Sequence, residues 1–292
     1  CPSSVNILDI FIRARAILAE YNGLPLAKQI LFKQLLANPR TLDTLAGLAS
    51  GIQDLAFKNE KNEQGTSCAR FVSPLLKGRH ILPMAKRPFH KEIRKHPLKK
   101  TGTGPRVLFF TGCLIDKVLP RIARDTCRVL DHLGVQIIVP KDQGCCGIPA
   151  LSSGDSDTFT RLAALHVKRF ASQRFEYLVT ACATCTSTIK KLWPAFGLSQ
   201  NASSEEQQMF KAIASRTMDI NEFLVDVMKI EPLNIKSRED RVTYHDPCHL
   251  RKSLKVWTEP RTLLAASGRY RLAEMAQPDR CCGMGGSFNL EH

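Results

Sequence analysis

Three short apolar runs in this chain each lead into cysteines. Val107–Phe110 leads to Cys113, Val135–Val139 to the glycine-flanked pair Cys145–Cys146, and Tyr177–Thr180 to Cys182 and Cys185. Between the runs lie helical patterns, 118–133, stopped by Gly134, and 157–170. Strand, helix, strand, helix, strand predicts an α/β fold with a parallel sheet and crossover helices. Sites in open parallel sheets form at the carboxyl ends of the strands. This order therefore gathers cysteines spread over 73 residues around one point. Gly112, Gly144 and Gly147 permit close backbone turns there.

The pattern starts again further on. Arg241–His245 reads as a strand, and Cys248 follows Val242 by six residues, as Cys113 follows Val107. A helix is expected over 258–267 and a strand over 270–275, leading to Cys281-Cys282-Gly283. No third strand or CxxC follows. Gly283-Met-Gly-Gly286 reads as a turn, and Leu290-Glu-His292 as either native sequence or a tag remnant. We therefore expect two Rossmann-like parallel-sheet repeats related by internal duplication, the second incomplete, preceded by a helical N-terminal segment.

Eleven cysteines in 292 residues would draw as disulfides in a secreted protein. Here they sit beside glycines and strand ends, with no secretory signal, which favours metal binding in an intracellular chain. No apolar run approaches the length of a membrane span. The formal charge of +15 is spread among few aromatics. That pattern fits a solvated surface or attraction to an acidic partner better than a nucleic-acid site, and no nucleic-acid partner is expected.

Cys113, Cys145, Cys146, Cys182 and Cys185 make one thiol more than a tetrahedral zinc site takes. A cluster of several irons has more coordination positions, suits soft thiolates, and accepts a thiolate shared between two irons. Cys127, inside a helical pattern, reads as packing, and Cys68 as structural. His245, Asp246 and His249 flank Cys248 and are read first as hydrogen-bonding residues that fix its loop, then as tuning groups for a cluster. Cys1-Pro2 matches the end of a bacterial ferredoxin repeat, which makes Cys1 the last ligand of a site whose other ligands are missing, in a cut chain.

This arrangement resembles the cysteine-rich CCG domain family. The family includes the heterodisulfide reductase B subunit, the iron–sulfur subunit of glycolate oxidase, the anaerobic glycerol-3-phosphate dehydrogenase C subunit and lactate-utilisation iron–sulfur proteins. The resemblance covers roughly 105–290, and Tyr244-His-Asp-Pro-Cys-His-Leu250 is similar to the opening of the family's second repeat. Cys1-Pro-Ser-Ser-Val5 and Ala85-Lys-Arg-Pro-Phe89 are similar to the glycolate oxidase subunit, here without its ferredoxin domain. The resemblance implies a noncubane four-iron (4Fe-4S) cluster on Cys113, Cys145, Cys146, Cys182 and Cys185, with cysteines bridging irons. It implies the start of a second motif at Cys248, Cys281 and Cys282.

Ahead of this domain, 7–18, 24–36 and 42–57 carry helical apolar stripes, expected to pack against the rest of the protein. Residues 58–67 read as a loop. The divisions expected are a helical segment at 1–83, a basic linker at 84–105, a first repeat at 106–235 and a second at 236–292.

The first expectation for function is an electron-transfer subunit of a glycolate or lactate dehydrogenase complex. It would take electrons from an FAD-containing partner subunit and pass them to quinone or another carrier, in the cytoplasm or at the inner membrane face. No GxGxxG follows a strand, so no flavin or nicotinamide is expected on this chain. The alternatives are disulfide reduction at the clusters and a zinc-stabilised binding module.

Overall fold

The computed structural model describes residues 5–59, 67–69, 83–96, 102–199, 201–231 and 240–283, excepting the side chains of 52, 54–59 and 67–69. The expectations for Cys1, the Cys68 side chain, most of the 58–67 loop, and the segment from Met284 to His292 lie outside it.

Helix α1 (Ile7–Asn22) begins at Asn6, whose side chain accepts the Asp9 N–H. α2 (Leu26–Gln29) continues as widened π-type turns over Ile30–Leu36, and α3 covers Pro39–Ala56. A small antiparallel pair, β1 (Phe57–Asn59) and β2 (Ser67–Ala69), follows. Phe32 and Leu36 join the main apolar core. On α1 only Ile12 is buried, and Leu8, Ile10, Phe11, Ile17 and Leu18 are exposed. The stripe expected to pack inward on α1 thus faces outward, because a single residue and the Arg15 guanidinium, which donates to the Ser152 carbonyl at 2.9 Å, tie the helix down.

The stretch expected as a basic linker is not all linker. α4 (Phe89–Lys95) buries Phe89 edge-on against Phe109 at 6.4 Å between ring centres. Pro88 ahead of it pre-sets the helical start, and its lysines and arginines point outward around one buried aromatic.

The central sheet holds β3 (Arg106–Phe109), β4 (Gln136–Ile138), β5 (Tyr177–Thr180) and β6 (Thr217–Asp219), all parallel, in the order β4–β3–β5–β6. Val107 pairs with Ile137, Leu108 with Leu178, and Leu178 with Thr217. Side chains alternate between faces. Leu108, Phe110 and Leu178 enter one core with Phe159, Leu162 and Phe170 of α8 (Ser156–Ala171). Val107, Val179 and Leu130 enter another, and Phe109 a third with Ala123 and Cys127. Leu130, Ala123 and Cys127 belong to α6 (Pro120–His132). Both faces are covered, so the strands read as continuous apolar runs.

β6 was not expected. It is three residues long, and its Thr217 side chain is occupied by a hydrogen bond to the Ile213 carbonyl, so no apolar run marks it. It is placed by α11 (Ser204–Arg216), which starts at a capping box between Ser203 and Glu206. β7 (Asp240–Val242) and β8 (Tyr270–Leu272) form a separate parallel pair, joined through α13 (Glu259–Ala266). Among the described residues no helix is long and apolar enough to cross a membrane.

One ionic cluster ties the N-terminal helices to the sheet domain. Lys117 ends α5 (Gly112–Lys117), the helix that carries Cys113. Its buried ammonium contacts Asp43 of α3 and Asp116 at 2.7 Å, and the Asp116 carboxylate also accepts the His90 N–H of α4 at 2.8 Å. Asp43, His90 and Asp116 lie close enough to hold a cation, and Lys117 already supplies it.

Candidate metal centre

Each predicted ligand of the first site lies just past the carboxyl end of a strand. Cys113 follows β3 in the first turn of α5, whose Gly112 has φ +64°. A Cβ at Gly112 would stand 3.1 Å from Cys185 Sγ, so the missing side chain leaves room where two loops meet. Cys145 and Cys146 follow β4. Gly147, at φ +94°, turns the chain from them into α7 (Ile148–Ser152), and a Cβ there would sit 2.8 Å from the Phe159 ring. Cys182 caps α9 (Ala183–Ser187) after β5, and Cys185 lies inside that helix, which runs on through π-type turns into α10 (Trp193–Phe196).

The loops bring all five sulfurs together through pairwise interactions. Cys113 interacts with Cys145, Cys145 with Cys146, Cys146 with Cys185, and Cys185 with Cys182, and the charge of Cys146 also acts on Cys182. All are free thiols. Cys145, Cys146 and Cys185 are buried, and Cys113 and Cys182 are half-buried. Among the described residues, the trio of ligating side chains whose atoms all lie within 4.8 Å of one another is Asp43, His90 and Asp116; no three of the sulfurs meet that condition. A tetrahedral zinc with sulfurs at about 2.3 Å would set its four ligands roughly 3.8 Å apart, every pair alike. Five donors are one more than such a site takes and suit a larger group.

Electrostatics point the same way. S–H groups of Cys145 and Cys185 donate to Cys146 and hold its pKa well below the ordinary thiol value, against the cost of burial. The same contacts push Cys145 and Cys185 well above it. Cys182 is lowered by its contact with Cys185. Packed thiols of this kind cannot all ionise side by side without a cationic centre between them. Backbone N–H groups also face the sulfurs, Gly147 donating to Cys145 Sγ at 3.4 Å and Ile148 to Cys146. The donor set and this lining fit an iron–sulfur group.

The second set sits at the ends of β7 and β8. Cys248 is half-buried, and Cys281 and Cys282 are exposed. Three residues predicted around them tie the loops. His245 Nε2 donates to the Arg280 carbonyl at 2.8 Å, and the Asp246 N–H donates to the Pro278 carbonyl at 2.8 Å. Burial pushes the Asp246 carboxyl up, but hydrogen bonds from Arg261 and Arg251 outweigh it and hold it low. His249 meets Thr184 Oγ1 at 3.0 Å, next to Cys185, so the Cys248 segment closes over the first site. Burial lowers the His249 pKa, opposed by a Cys146 thiolate. Cys127 is buried in α6 in an apolar cluster with Phe109 and Ala123, and burial pushes its thiol up to about 12.

Two residues at the site were not foreseen. His166 of α8 and Trp193 of α10 are fully buried behind the cysteine pair. His166 Nε2 donates to the Cys145 carbonyl at 3.1 Å, and Trp193 Nε1 to the Cys146 carbonyl at 2.9 Å. Burial lowers the His166 pKa to about 4, so the ring is neutral. In sequence, His166 looks like an ordinary core residue of the 157–170 helical pattern, and Trp193 lies outside the helical patterns read there.

The sequence model of the cysteine-rich CCG domain matches residues 107–190 and 242–292. An uncharacterised iron–sulfur protein of Methanococcus maripaludis is 33% identical over 248 residues, 85% of this chain and 46% of that protein. The fumarate reductase (CoM/CoB) B subunit of Methanothermobacter marburgensis is 36% identical over 196 residues, 66% of this chain and 36% of that protein. Lactate utilization protein A of Bacillus pumilus is 30% identical over 186 residues, 64% of this chain and 75% of that protein. The chain spans less than half the length of the first two relatives. It belongs to the cysteine-rich CCG domain family, whose members here include iron–sulfur proteins and oxidoreductase subunits.

Proposed function

We propose that Cys113, Cys145, Cys146, Cys182 and Cys185 hold a noncubane four-iron cluster and that this chain is an electron-transfer subunit. It would serve a glycolate or lactate dehydrogenase complex, taking electrons from an FAD-containing subunit and passing them to quinone or another carrier, at the inner face of the membrane or in the cytoplasm. The observation that carries this is the convergence of five interacting sulfurs at the ends of three neighbouring strands, one donor more than a tetrahedral ion takes. When bound, the cluster supplies one-electron transfer. The buried Cys145, Cys146 and Cys185 keep water from it, and the half-buried Cys113 and Cys182 leave two edges near the surface for electron entry and exit. Cys248, Cys281 and Cys282 are proposed as ligands of a second site whose remaining donors are not among the described residues. Similarity to lactate utilization protein A supports the hydroxyacid assignment.

The test is anaerobic purification with assays of iron, acid-labile sulfide and electron paramagnetic resonance, then stopped-flow reduction by a lactate or glycolate flavoprotein. Sulfide-containing protein reduced by that partner supports the proposal, and a stoichiometric zinc protein without sulfide overturns it. A second reading, disulfide reduction at the same site, draws on the similarity to the fumarate reductase (CoM/CoB) B subunit. Turnover of a disulfide by the reduced protein, with no response to the flavoprotein, would favour it.

A further inference from the structure

We propose that Trp193 and His166 are positioning residues that aim backbone N–H groups at the sulfurs of the Cys145–Cys146 pair by holding the opposite ends of the same peptide units. This rests on the cluster assignment made above. In a trans peptide the carbonyl and the following N–H point in opposite directions. Trp193 Nε1 holds the Cys146 carbonyl at 2.9 Å, and the N–H at the other end of that peptide belongs to Gly147, which donates to Cys145 Sγ at 3.4 Å. The indole and the sulfur therefore grip one peptide plane from its two edges. His166 holds the preceding unit by one edge, its Cys145 carbonyl at 3.1 Å, and so fixes the direction of the Cys146 N–H.

The two rings brace one another. His166 stacks on Trp193 at 5.7 Å and 8°, on Phe170 at 5.5 Å and 26°, and meets the edge of Phe110 at 5.3 Å. The imidazole is also an expensive choice for this place. Among the described residues its Nδ1 is buried with no hydrogen-bond partner, a loss that a phenylalanine ring of similar shape would avoid. What a phenylalanine cannot supply is the Nε2 donor, and that donor goes to the cysteine pair. Hydrogen bonds to cluster sulfurs offset the charge added on reduction, so they raise the reduction potential.

Trp193→Phe and His166→Phe keep the aromatic wall and remove the donors. Three readouts apply. In the metal-free protein, the Gly147 amide of Trp193→Phe should exchange with deuterium about tenfold faster, as one lost hydrogen bond requires. His166→Phe should melt close to the parent chain while metal-free, since losing the orphaned nitrogen offsets the Cys145 carbonyl left without its donor. In the cluster-loaded protein, both variants should show a more negative midpoint potential and shifted iron–sulfur stretching bands. Unchanged exchange, or unchanged potential and bands in variants with full iron content, would overturn the inference. A parent chain with no sulfide would instead overturn the cluster assignment itself, which separates the two failures.

Discussion

Replacing Lys117 with methionine should destabilise the protein by about 3 kcal/mol. Methionine keeps most of the apolar stem but deletes the ammonium that contacts Asp43 and Asp116. Lys117 and Asp116 are 3% and 4% exposed, so the carboxylate left behind is buried, and water cannot replace its lost partner. Removing one member of a buried pair costs about 3–5 kcal/mol, whereas an exposed pair costs under about 1. The low end applies here because Asp116 keeps the backbone N–H and ring Nδ1 of His90, both at 2.8 Å. For a domain of this size the loss corresponds to a fall of about 6–12 °C in melting temperature. Adding Asp116→Asn should recover part of it, since the carboxylate charge is then gone. Thermal melts of the single and double variants, followed by circular dichroism on metal-free protein, measure both values. A fall of less than about 2 °C for Lys117→Met, with no coupling to Asp116→Asn, would refute the claim that a buried cation locks α3 and α4 onto the helix of Cys113.

Other expectations rest on separate features. Asp219 is buried with its pKa raised to about 6, chiefly by desolvation, against 3.8 when exposed. The folded state then holds this proton more tightly, so stability from it is present below about pH 4 and is lost as pH rises through 6. Asp219→Asn, which keeps the cap on α12 (Ile220–Glu222), should flatten this slope by about 3 kcal/mol over that window in urea melts; an unaltered slope would contradict it. Cys127, buried with a pKa near 12, should resist iodoacetamide at pH 8 in the folded protein while Cys281 and Cys282 react within minutes, as read by peptide mass spectrometry. Gly147→Ala should cost about 2–4 kcal/mol in the same melts, because alanine at φ +94° is strained and its Cβ would meet Phe159 at 2.8 Å.

What could be foreseen followed from chain physics that acts locally. Val107–Phe110 and Tyr177–Thr180 are apolar at nearly every position because helices cover both faces of the sheet, so they declare themselves as buried strands. The cysteines then fall at strand ends, where parallel topology gathers loops. β6 escaped notice because three residues led by a hydrogen-bonded threonine carry no periodicity, and pairing with β5 and packing of Met218 against the core hold it in place. α4 escaped because its many basic residues hide a single buried Phe89. The outward stripe of α1 shows the limit of reading amphipathic patterns, since periodicity tells which residues share a side and not what lies against it. His166 and Trp193 were invisible for a related reason. Their ring N–H groups matter only through carbonyls 21 and 47 residues away, and no spacing rule joins them.

The most direct measurement is iron and acid-labile sulfide per chain in anaerobically prepared protein, taken for the parent and for single serine replacements of Cys113, Cys145, Cys146, Cys182, Cys185 and Cys127. Five sulfurs on one inorganic group require that each of the first five replacements lowers iron and sulfide together and alters the paramagnetic resonance signal, while Cys127→Ser leaves all three unchanged. Full sulfide in Cys113→Ser and Cys182→Ser, or a parent chain that carries only zinc, would contradict it.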